Sequence, residues 1–273
     1  MGDANRLQEY IDVWWLVVAE NVGLLRELQP DEWARPTDLP GWNVRYVAAH
    51  MAHLESDLAG NPQPRVEVPP APHIKGPMGM FTESGPLARA DWSTDEIIDD
   101  FESSAAKRHD ALLALMPLDP TALGDGFAAG VGWTWDMLLS NRALDLWMHQ
   151  QDIRRAVDRS GGLTGAGGAH ALRSFSRSLP FVLGKRIGAP AGTTVVLDVT
   201  GEHSATLVAH MGDDGRASEL SSAPADPSVH LAMDFETFTV LSGGRRAPDQ
   251  VTATVTGDAE LGAAVLANLA VTP

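Results

Sequence analysis

The 273 residues are enough for one large domain or two modest ones, and we expect two. With 44% apolar and 21% charged residues, the composition is that of an ordered globular protein and excludes a disordered or fibrous chain. The net charge of −16 argues against nucleic acids and anionic membrane surfaces as partners, because most of the exterior repels phosphate.

The sequence contains no cysteine, which excludes disulfides, thiolate metal ligands and a protein thiol nucleophile. Any sulfur chemistry must therefore use a thiol that comes from outside the protein. The sequence also has no run of about 18 apolar residues and no secretory signal at its N-terminus. We expect a cytoplasmic protein that does not associate with a membrane.

Four segments of the first half carry apolar residues at the three- and four-residue spacing of amphipathic helices. They cover about residues 5–28, 44–58, 97–115 and 135–157. Asn43 is a suitable cap for the second helix, and Ser93 or Thr94 for the third. Four helices with long connections predict an all-α four-helix bundle.

Residues 60–85 lie between the second and third helices and are rich in proline and glycine. This composition predicts a long loop that could cover a pocket, with a disordered insert as the alternative. A cluster of glycines through Gly168 follows the fourth helix, and we place the boundary between two domains there, at residues 1–162 and 163–273.

The second half mixes helical patterns with runs that alternate apolar and polar residues, as half-buried strands do. Strands are predicted at residues 193–200, 205–211, 229–233 and 251–256. Helices are predicted near residues 172–184, 235–241 and 260–269. The second domain is therefore predicted to be α+β.

Candidate metal ligands lie on the second and fourth helices. Asp145 and His149 are four residues apart and share one helix face, so they could hold one divalent cation together. Asp152 could orient His149 or pair with a nearby arginine. Either His50 or His53 could supply a third ligand from the second helix, and three ligands leave a coordination position open for catalysis.

The pattern of these residues alone leaves two alternatives to metal binding. An Asp and a His at this spacing also occur as a helix-surface ion pair, and His50 could be a buried structural histidine. If they do bind a metal, nitrogen and carboxylate ligands suit zinc, nickel, iron or manganese.

Three separated segments resemble the mycothiol-dependent maleylpyruvate isomerase family and its DinB-like relatives. Residues 39–50 read Leu-Pro-Gly-Trp-Asn-Val-Arg-Tyr-Val-Ala-Ala-His, and in the family a Pro-Gly-Trp turn begins the helix that carries the first ligand histidine. Residues 149–156 read His-Gln-Gln-Asp-Ile-Arg-Arg-Ala and are similar to the segment of the last ligand histidine. The third segment is the C-terminal stretch of residues 226–273, with Ser-Gly-Gly-Arg-Arg at 242–246, Val-Thr-Gly-Asp at 255–258 and Leu-Ala-Val-Thr-Pro at 269–273, and it resembles the C-terminal domain of the family.

The resemblance implies a DinB-like metal-binding bundle followed by a sterol-carrier-protein-like α+β domain. It implies His50, Asp145 and His149 as ligands of a divalent metal, with Zn²⁺ preferred, and excludes His53. The family usually has Glu where this chain has Asp145, so the shorter side chain has to lie closer to the metal or bind it differently.

The resemblance also implies mycothiol as a thiol cosubstrate and an isomerase or S-transferase activity. In the isomerase, the thiolate adds to the conjugated double bond of maleylpyruvate, permits rotation and leaves. Arg245 and Arg246 are the catalytic candidates, with Arg245 preferred, because a guanidinium facing the metal would stabilise enolate charge in a pocket between the domains. A solvated arginine pair on a loop is the alternative.

The expected partners are a small electrophile and a low-molecular-weight thiol, in a monomer or homodimer. A different class of function stays open, namely a non-catalytic metal-binding protein or a carrier of apolar ligands. Turnover with mycothiol would favour the enzyme, and a copurifying lipid without turnover would favour the carrier.

Overall fold

The computed structural model of this protein describes residues 3–272. The chain divides into two compact units, and the boundary lies between Gly162 and Leu163. The first unit is built from helices, and the second combines helices with a mixed sheet.

The first unit has six α-helices within residues 3–162. They are α1 (Asp3–Arg26), α2 (Val44–Leu58), α3 (Gly76–Ala88), α4 (Thr94–Leu115), α5 (Gly126–Gly130) and α6 (Trp135–Ala156). The four long helices predicted from the sequence correspond to α1, α2, α4 and α6, whereas α5 lies in a segment that was predicted as a connection.

Side-chain caps explain where three of the long helices begin. Asn43 caps α2 and Thr134 caps α6, each by accepting a hydrogen bond from a backbone amide of the first turn. Ser93 and Glu96 form a reciprocal capping box at the start of α4. The predicted caps of the second and third helices are thus confirmed, with Ser93 preferred over Thr94.

The long helices pack in pairs, α1 along α6 and α2 along α4, and further contacts join α1 to α4 and α2 to α6. Their apolar faces meet in one core, as in a helical bundle. Large side chains that are fully buried in it include Leu7, Ile11, Trp14, Met51, Phe101 and Trp147.

The prediction of a loop over residues 60–85 is wrong at its end, because α3 begins at Gly76. Pro77 stands in the first turn of this helix, where a missing N–H interrupts no helical hydrogen bond. α3 packs on α2, and Gly85 lies so near His53 that an added Cβ would be 2.2 Å from its ring. Packing on α2 therefore stabilises α3, although its local composition disfavours a helix.

The second unit has five strands and four α-helices within residues 163–272. The strands are β1 (Thr194–Thr200), β2 (Ala205–Met211), β3 (Ala217–Glu219), β4 (Val229–Asp234) and β5 (Thr254–Gly257). The helices are α7 (Ala166–Ser176), α8 (Leu179–Phe181), α9 (Phe235–Ser242) and α10 (Ala259–Asn268).

The strands form one mixed sheet in the order β3-β2-β1-β4-β5. β1 and β4 run parallel, and the other neighbouring strands are antiparallel. Residues 194–197 and Val199 of β1 are buried, so both faces of this central strand are covered over its first half. α10 packs on β4 and β5, so the predicted α+β class of this unit is confirmed.

Two predicted elements of the second unit differ in extent. The helix predicted near residues 172–184 is divided, because α7 ends at Ser176 and α8 continues into a π-helical turn at Val182–Ile187. Pro180 lies in the first turn of α8 and has no N–H with which to continue the hydrogen-bond ladder from α7.

The strand predicted at residues 251–256 begins only at Thr254. Its pairing with β4 runs from Thr254 opposite Ala232 to Gly257 opposite Val229, and the last two residues of β4 pair with β1 alone. The short polar strand β3 was not predicted, because three residues carry no periodic signal. Among the described residues, no helix combines the length and apolar character needed to cross a bilayer.

Candidate metal centre

Two helices of the first unit, α2 and α6, carry the side chains that the sequence analysis selected as metal ligands. α2 begins after Asn43, whose Oδ1 accepts a hydrogen bond from the Tyr46 amide at 2.9 Å. Two turns further along, the ring of His50 meets the ring of His149 on α6 edge to face, with centroids 4.9 Å apart. Helix packing thus brings together residues that are about 100 positions apart in the sequence.

His50, Asp145 and His149 form a compact group. Each offers one ligand atom, and these three atoms lie within 4.8 Å of one another. Asp145 Oδ1 is 3.6 Å from His149 Nε2. His50 and His149 are 3% and 5% exposed, whereas the Asp145 side chain is 27% exposed, so solvent reaches the group from the carboxylate side.

The protonation states of this group suit metal binding. Burial lowers the pKa of His50 well below its usual range, and the neighbouring His149 adds to the effect. Burial by itself would raise the pKa of Asp145, but His149 and Arg142 outweigh it and hold this pKa well below its usual range. At neutral pH, His50 is therefore an uncharged imidazole and Asp145 a carboxylate, as metal ligands must be.

A buried aspartate holds His149 in place through Nδ1, the ring nitrogen that does not face Asp145. Its Nδ1 lies 3.2 Å from Oδ2 of the fully buried Asp152. Asp152 Oδ1 accepts a hydrogen bond from Arg155 Nη2 at 2.6 Å, and Arg155 Nε donates to Asp38 at 2.8 Å. Asp152 thus makes both contacts that the sequence analysis had weighed for it, and it directs His149 Nε2 towards Asp145.

Three buried charged side chains, Arg108, Glu55 and Arg142, form a row that ends on Asp145. Arg142 Nη1 donates to Asp145 Oδ2 at 2.7 Å, and Arg142 Nη2 donates to Glu55 Oε1 at 2.8 Å. Arg108 Nη1 donates to the other oxygen of Glu55 at 3.1 Å. The side chains of Glu55, Arg108 and Arg142 are at most 1% exposed.

This row of charges was not predicted from the sequence. A signal was nevertheless present, because Glu55 shares a helix face with the apolar Met51 and Leu58. Arg142 likewise stands four residues from two leucines, Leu138 and Leu146. A charged residue in the middle of an apolar helix face is a candidate for a buried ion pair.

Trp42 covers the two histidines. Its ring centroid is 4.9 Å from that of His50 and 6.2 Å from that of His149. The indole Nε1 donates to Glu83 Oε1 on α3 at 2.7 Å, and Glu83 Oε2 accepts from the Tyr46 hydroxyl at 2.8 Å. The helix that the sequence did not predict therefore holds a ring of the candidate site in position.

The turn before Trp42 depends on a glycine. Gly41 has φ +82°, a conformation that other residues rarely adopt, and a Cβ there would approach the His73 ring to 3.1 Å. Cavities of about 280 and 210 Å³ flank this turn, and Gly41 lines both. The Pro-Gly-Trp motif thus places an aromatic ring beside the two candidate ligand histidines and in the lining of the 280 Å³ cavity.

The remaining candidates of the sequence analysis lie elsewhere. His53 is not part of the group, and its Nδ1 is 3.0 Å from Gln63 Oε1. Arg245 and Arg246 belong to the second unit, just after α9. Arg245 Nη1 donates to the carbonyl of Gly243 at 2.6 Å. Their catalytic role stays a prediction.

The residues of the group fit a divalent cation. Two imidazole nitrogens and one carboxylate oxygen are a donor set that zinc and neighbouring metals accept. The Nδ1 of His50 is buried and has no hydrogen-bond partner among residues 3–272. An unpaired buried nitrogen beside a carboxylate and a second imidazole is in keeping with a site for a cation.

Comparisons with known proteins identify a family and a fold for this chain. The sequence profile of the mycothiol maleylpyruvate isomerase N-terminal domain matches residues 14–154, slightly more than half of the chain. The crystal structure of a mycothiol-dependent maleylpyruvate isomerase is similar with a TM-score of 0.54 at 15% identity, over 94% of this chain and 96% of that chain. No curated protein matches the chain at a significant level.

A second crystal structure, of a histidine-to-alanine mutant of a mycothiol-dependent maleylpyruvate isomerase, gives a TM-score of 0.53 at 16% identity. The alignment covers 93% of this chain and 96% of that chain. At these identities the structural likeness concerns the fold, which extends over both units.

Proposed function

Because the chain belongs to the family of the mycothiol maleylpyruvate isomerase N-terminal domain, we propose that it is a metal-dependent enzyme with mycothiol as thiol cosubstrate. Its reaction is the addition of a thiolate to an electrophile such as maleylpyruvate, which ends in isomerisation or in S-transfer. The observation that carries the proposal is the convergence of His50, Asp145 and His149, whose ligand atoms lie within 4.8 Å of one another.

A divalent cation bound by these three residues would lower the pKa of a thiol and favour thiolate at neutral pH. His50 contributes a neutral imidazole, since its low pKa keeps it unprotonated. Asp145 contributes the negative charge. Asp152 lies beside His149 Nδ1 and orients the ring so that Nε2 faces Asp145, where a bound cation would take the place of a proton.

The thiol has to come from a cosubstrate, because the chain contains no cysteine. Trp42 shields one side of the two histidines from water, and Asp145 is the exposed member of the group. A thiol would therefore approach from the side of Asp145. Zinc is the cation we propose, since it accepts this donor set and leaves a fourth position for an incoming ligand.

Arg245 and Arg246 complete the proposal. Maleylpyruvate carries carboxylates, and addition of a thiolate to it develops enolate charge, which a guanidinium stabilises. We assign this role to Arg245. Arg245→Ala is expected to lower kcat/KM without loss of metal, and Arg246→Ala, the adjacent control, is expected to change it less; equal effects of the two would contradict the assignment.

The finer fold assignment belongs to the same proposal. Four long helices in pairs, with ligands on two of them, support a DinB-like bundle for the first unit. A five-stranded mixed sheet with helices supports a sterol-carrier-protein-like fold for the second unit.

Metal analysis is the direct test. Wild-type protein, His50→Ala and His149→Ala are loaded with zinc, dialysed and assayed for bound metal. We expect about one zinc per chain in the wild type, as three protein ligands imply, and loss of the metal in both variants. His53→Ala is the matched control, because His53 is also buried on α2 but lies outside the group.

Turnover completes the test. The zinc-loaded wild type is expected to convert maleylpyruvate, or a chromogenic electrophile, only when mycothiol is present, and the two metal-free variants are expected to be inactive. Full metal binding by His50→Ala and His149→Ala would refute the site. Metal binding without any turnover would favour the non-catalytic alternative.

A further inference from the structure

The two carboxylate oxygens of Asp145 have different neighbours. Oδ2 accepts a hydrogen bond from Arg142 Nη1 at 2.7 Å, whereas Oδ1 lies 3.6 Å from His149 Nε2. Arg142 stands three residues before Asp145 on α6, so both side chains share one face of the helix. One oxygen is therefore engaged by a guanidinium, and the other lies beside a histidine of the candidate metal centre.

Arg142 is itself firmly held. Its Nε and Nη2 both donate to Glu55 Oε1, at 3.1 and 2.8 Å. Glu55 is anchored by two further donors, Trp14 Nε1 at 3.1 Å and Arg108 Nη1 at 3.1 Å. Because a guanidinium does not lose its proton in proteins, Arg142 cannot release Asp145 by becoming neutral.

We propose that Arg142 is a positioning residue, which occupies Oδ2 of Asp145 so that this carboxylate offers a bound cation Oδ1 alone. The inference rests on the proposed function, since it takes Asp145 as a metal ligand. A carboxylate with two free oxygens can bind a divalent cation through both and fill an additional coordination position. With Oδ2 engaged by Arg142, that position stays open for the thiol or the electrophile.

Stability by itself is a weak explanation for this arrangement. Moving charged groups out of water is costly, and apolar residues of similar volume often stabilise a protein as well as a buried ion pair does. Here the row of buried charges ends on the carboxylate of a candidate ligand. Partners that orient a ligand are a general feature of metal sites, and they act on affinity and coordination.

Cobalt(II) in place of zinc tests the inference, because four-coordinate cobalt absorbs visible light more strongly than cobalt with five or six ligands. We expect an intense spectrum from the cobalt-loaded wild type and a weaker one from Arg142→Met, in which both oxygens of Asp145 are available. Competition with a chelator is expected to show about 10- to 100-fold weaker zinc binding by Arg142→Met, because its carboxylate is no longer oriented.

Arg108→Met is the matched control. It also removes a buried guanidinium from Glu55, but Arg108 makes no contact with Asp145, so the cobalt spectrum and the zinc affinity are expected to match the wild type. The triple variant Glu55→Gln/Arg108→Met/Arg142→Met replaces the single one if that protein does not fold. It removes the three buried charges together, so neither guanidinium is left without its counter-charge, and it is expected to give the weaker spectrum.

Three results would overturn the inference. They are a weak cobalt spectrum in the wild type, an unchanged spectrum and zinc affinity in folded Arg142→Met or the triple variant, and an equal change in Arg108→Met. The proposed function survives each of them as long as His50→Ala and His149→Ala lose the metal. A wild type that binds no metal refutes both.

Discussion

His149 Nδ1 lies 3.2 Å from Oδ2 of Asp152, one turn further along the same helix. The opposite nitrogen of the ring, Nε2, is the one that faces Asp145. A buried carboxylate thus orients the His149 ring, and Nε2 is the nitrogen placed to hold a cation beside Asp145.

Asp152→Asn is expected to weaken zinc binding by about 10- to 100-fold, because the neutral amide orients the ring less strongly and makes it a poorer ligand. Competition with a chelator measures the affinity. The control is Asp136→Asn on the same helix, whose carboxylate pairs with Arg6 away from the ligands. Equal zinc affinities for wild type and Asp152→Asn would contradict this role of Asp152.

Glu55→Gln is expected to lower the free energy of unfolding at pH 7 by about 3–5 kcal/mol, because it leaves two buried guanidinium groups short of a counter-charge. Urea denaturation measures the change. The control Glu102→Gln removes an exposed ion pair with Arg26, which contributes at most about 1 kcal/mol. Similar losses in the two variants would contradict the importance of burial.

The effect of Glu55→Gln is also expected to depend on pH. Burial by itself would raise the pKa of Glu55, but Arg142 and Arg108 outweigh it, so the pKa in the folded protein is lower than in the unfolded chain. The stabilisation is therefore fully present above the unfolded pKa of about 4.3 and is lost as pH falls through the lower folded pKa. If the difference in free energy of unfolding between wild type and Glu55→Gln grew towards low pH, the sign of this pKa shift would be wrong.

Gly85→Ala is expected to destabilise the protein by about 1–3 kcal/mol, because the added Cβ overpacks the contact between α3 and α2. It would lie 2.2 Å from the His53 ring, which is buried. Gly23→Ala on α1 is the control, since no atom lies within 4 Å of its new Cβ. Helix propensity predicts that Gly23→Ala gains up to about 1 kcal/mol of stability. The unfolding temperatures of the two variants should therefore shift in opposite directions.

Glu83→Gln is expected to lower the pKa of Tyr46. Burial and the hydrogen-bonded Glu83 carboxylate both raise this pKa, and the substitution removes the negative charge while burial remains. The chain has two tyrosines, so absorbance titration in a Tyr10→Phe background reports on Tyr46 alone. Superimposable titrations with and without the Glu83 charge would rule out the electrostatic contribution.

The family resemblance was available from short motifs, and the match over residues 14–154 confirms it. The long helices were likewise predictable, because an amphipathic period and a cap such as Asn43 are local properties of the chain. The identity of the metal, the oligomeric state, the cellular location and the substrate stay predictions.

α3 and the buried charges were not predictable in the same way. Proline and glycine in residues 76–88 indicate a loop by their local preferences, and only packing on α2 offsets those preferences. Glu55 and Arg142 belong to helices about 90 residues apart, and nothing within either helix shows that the other supplies its partner.

Local patterns in the sequence are enough to predict the four long helices, the family resemblance and the histidines and aspartate that could bind a metal, since these depend on neighbours within a few positions. Helix packing, in contrast, brings His50 to Asp145 and His149 and sets Arg142 against one oxygen of that carboxylate. Distances between helices depend on how whole faces pack, and packing is a property of all side chains in the core together.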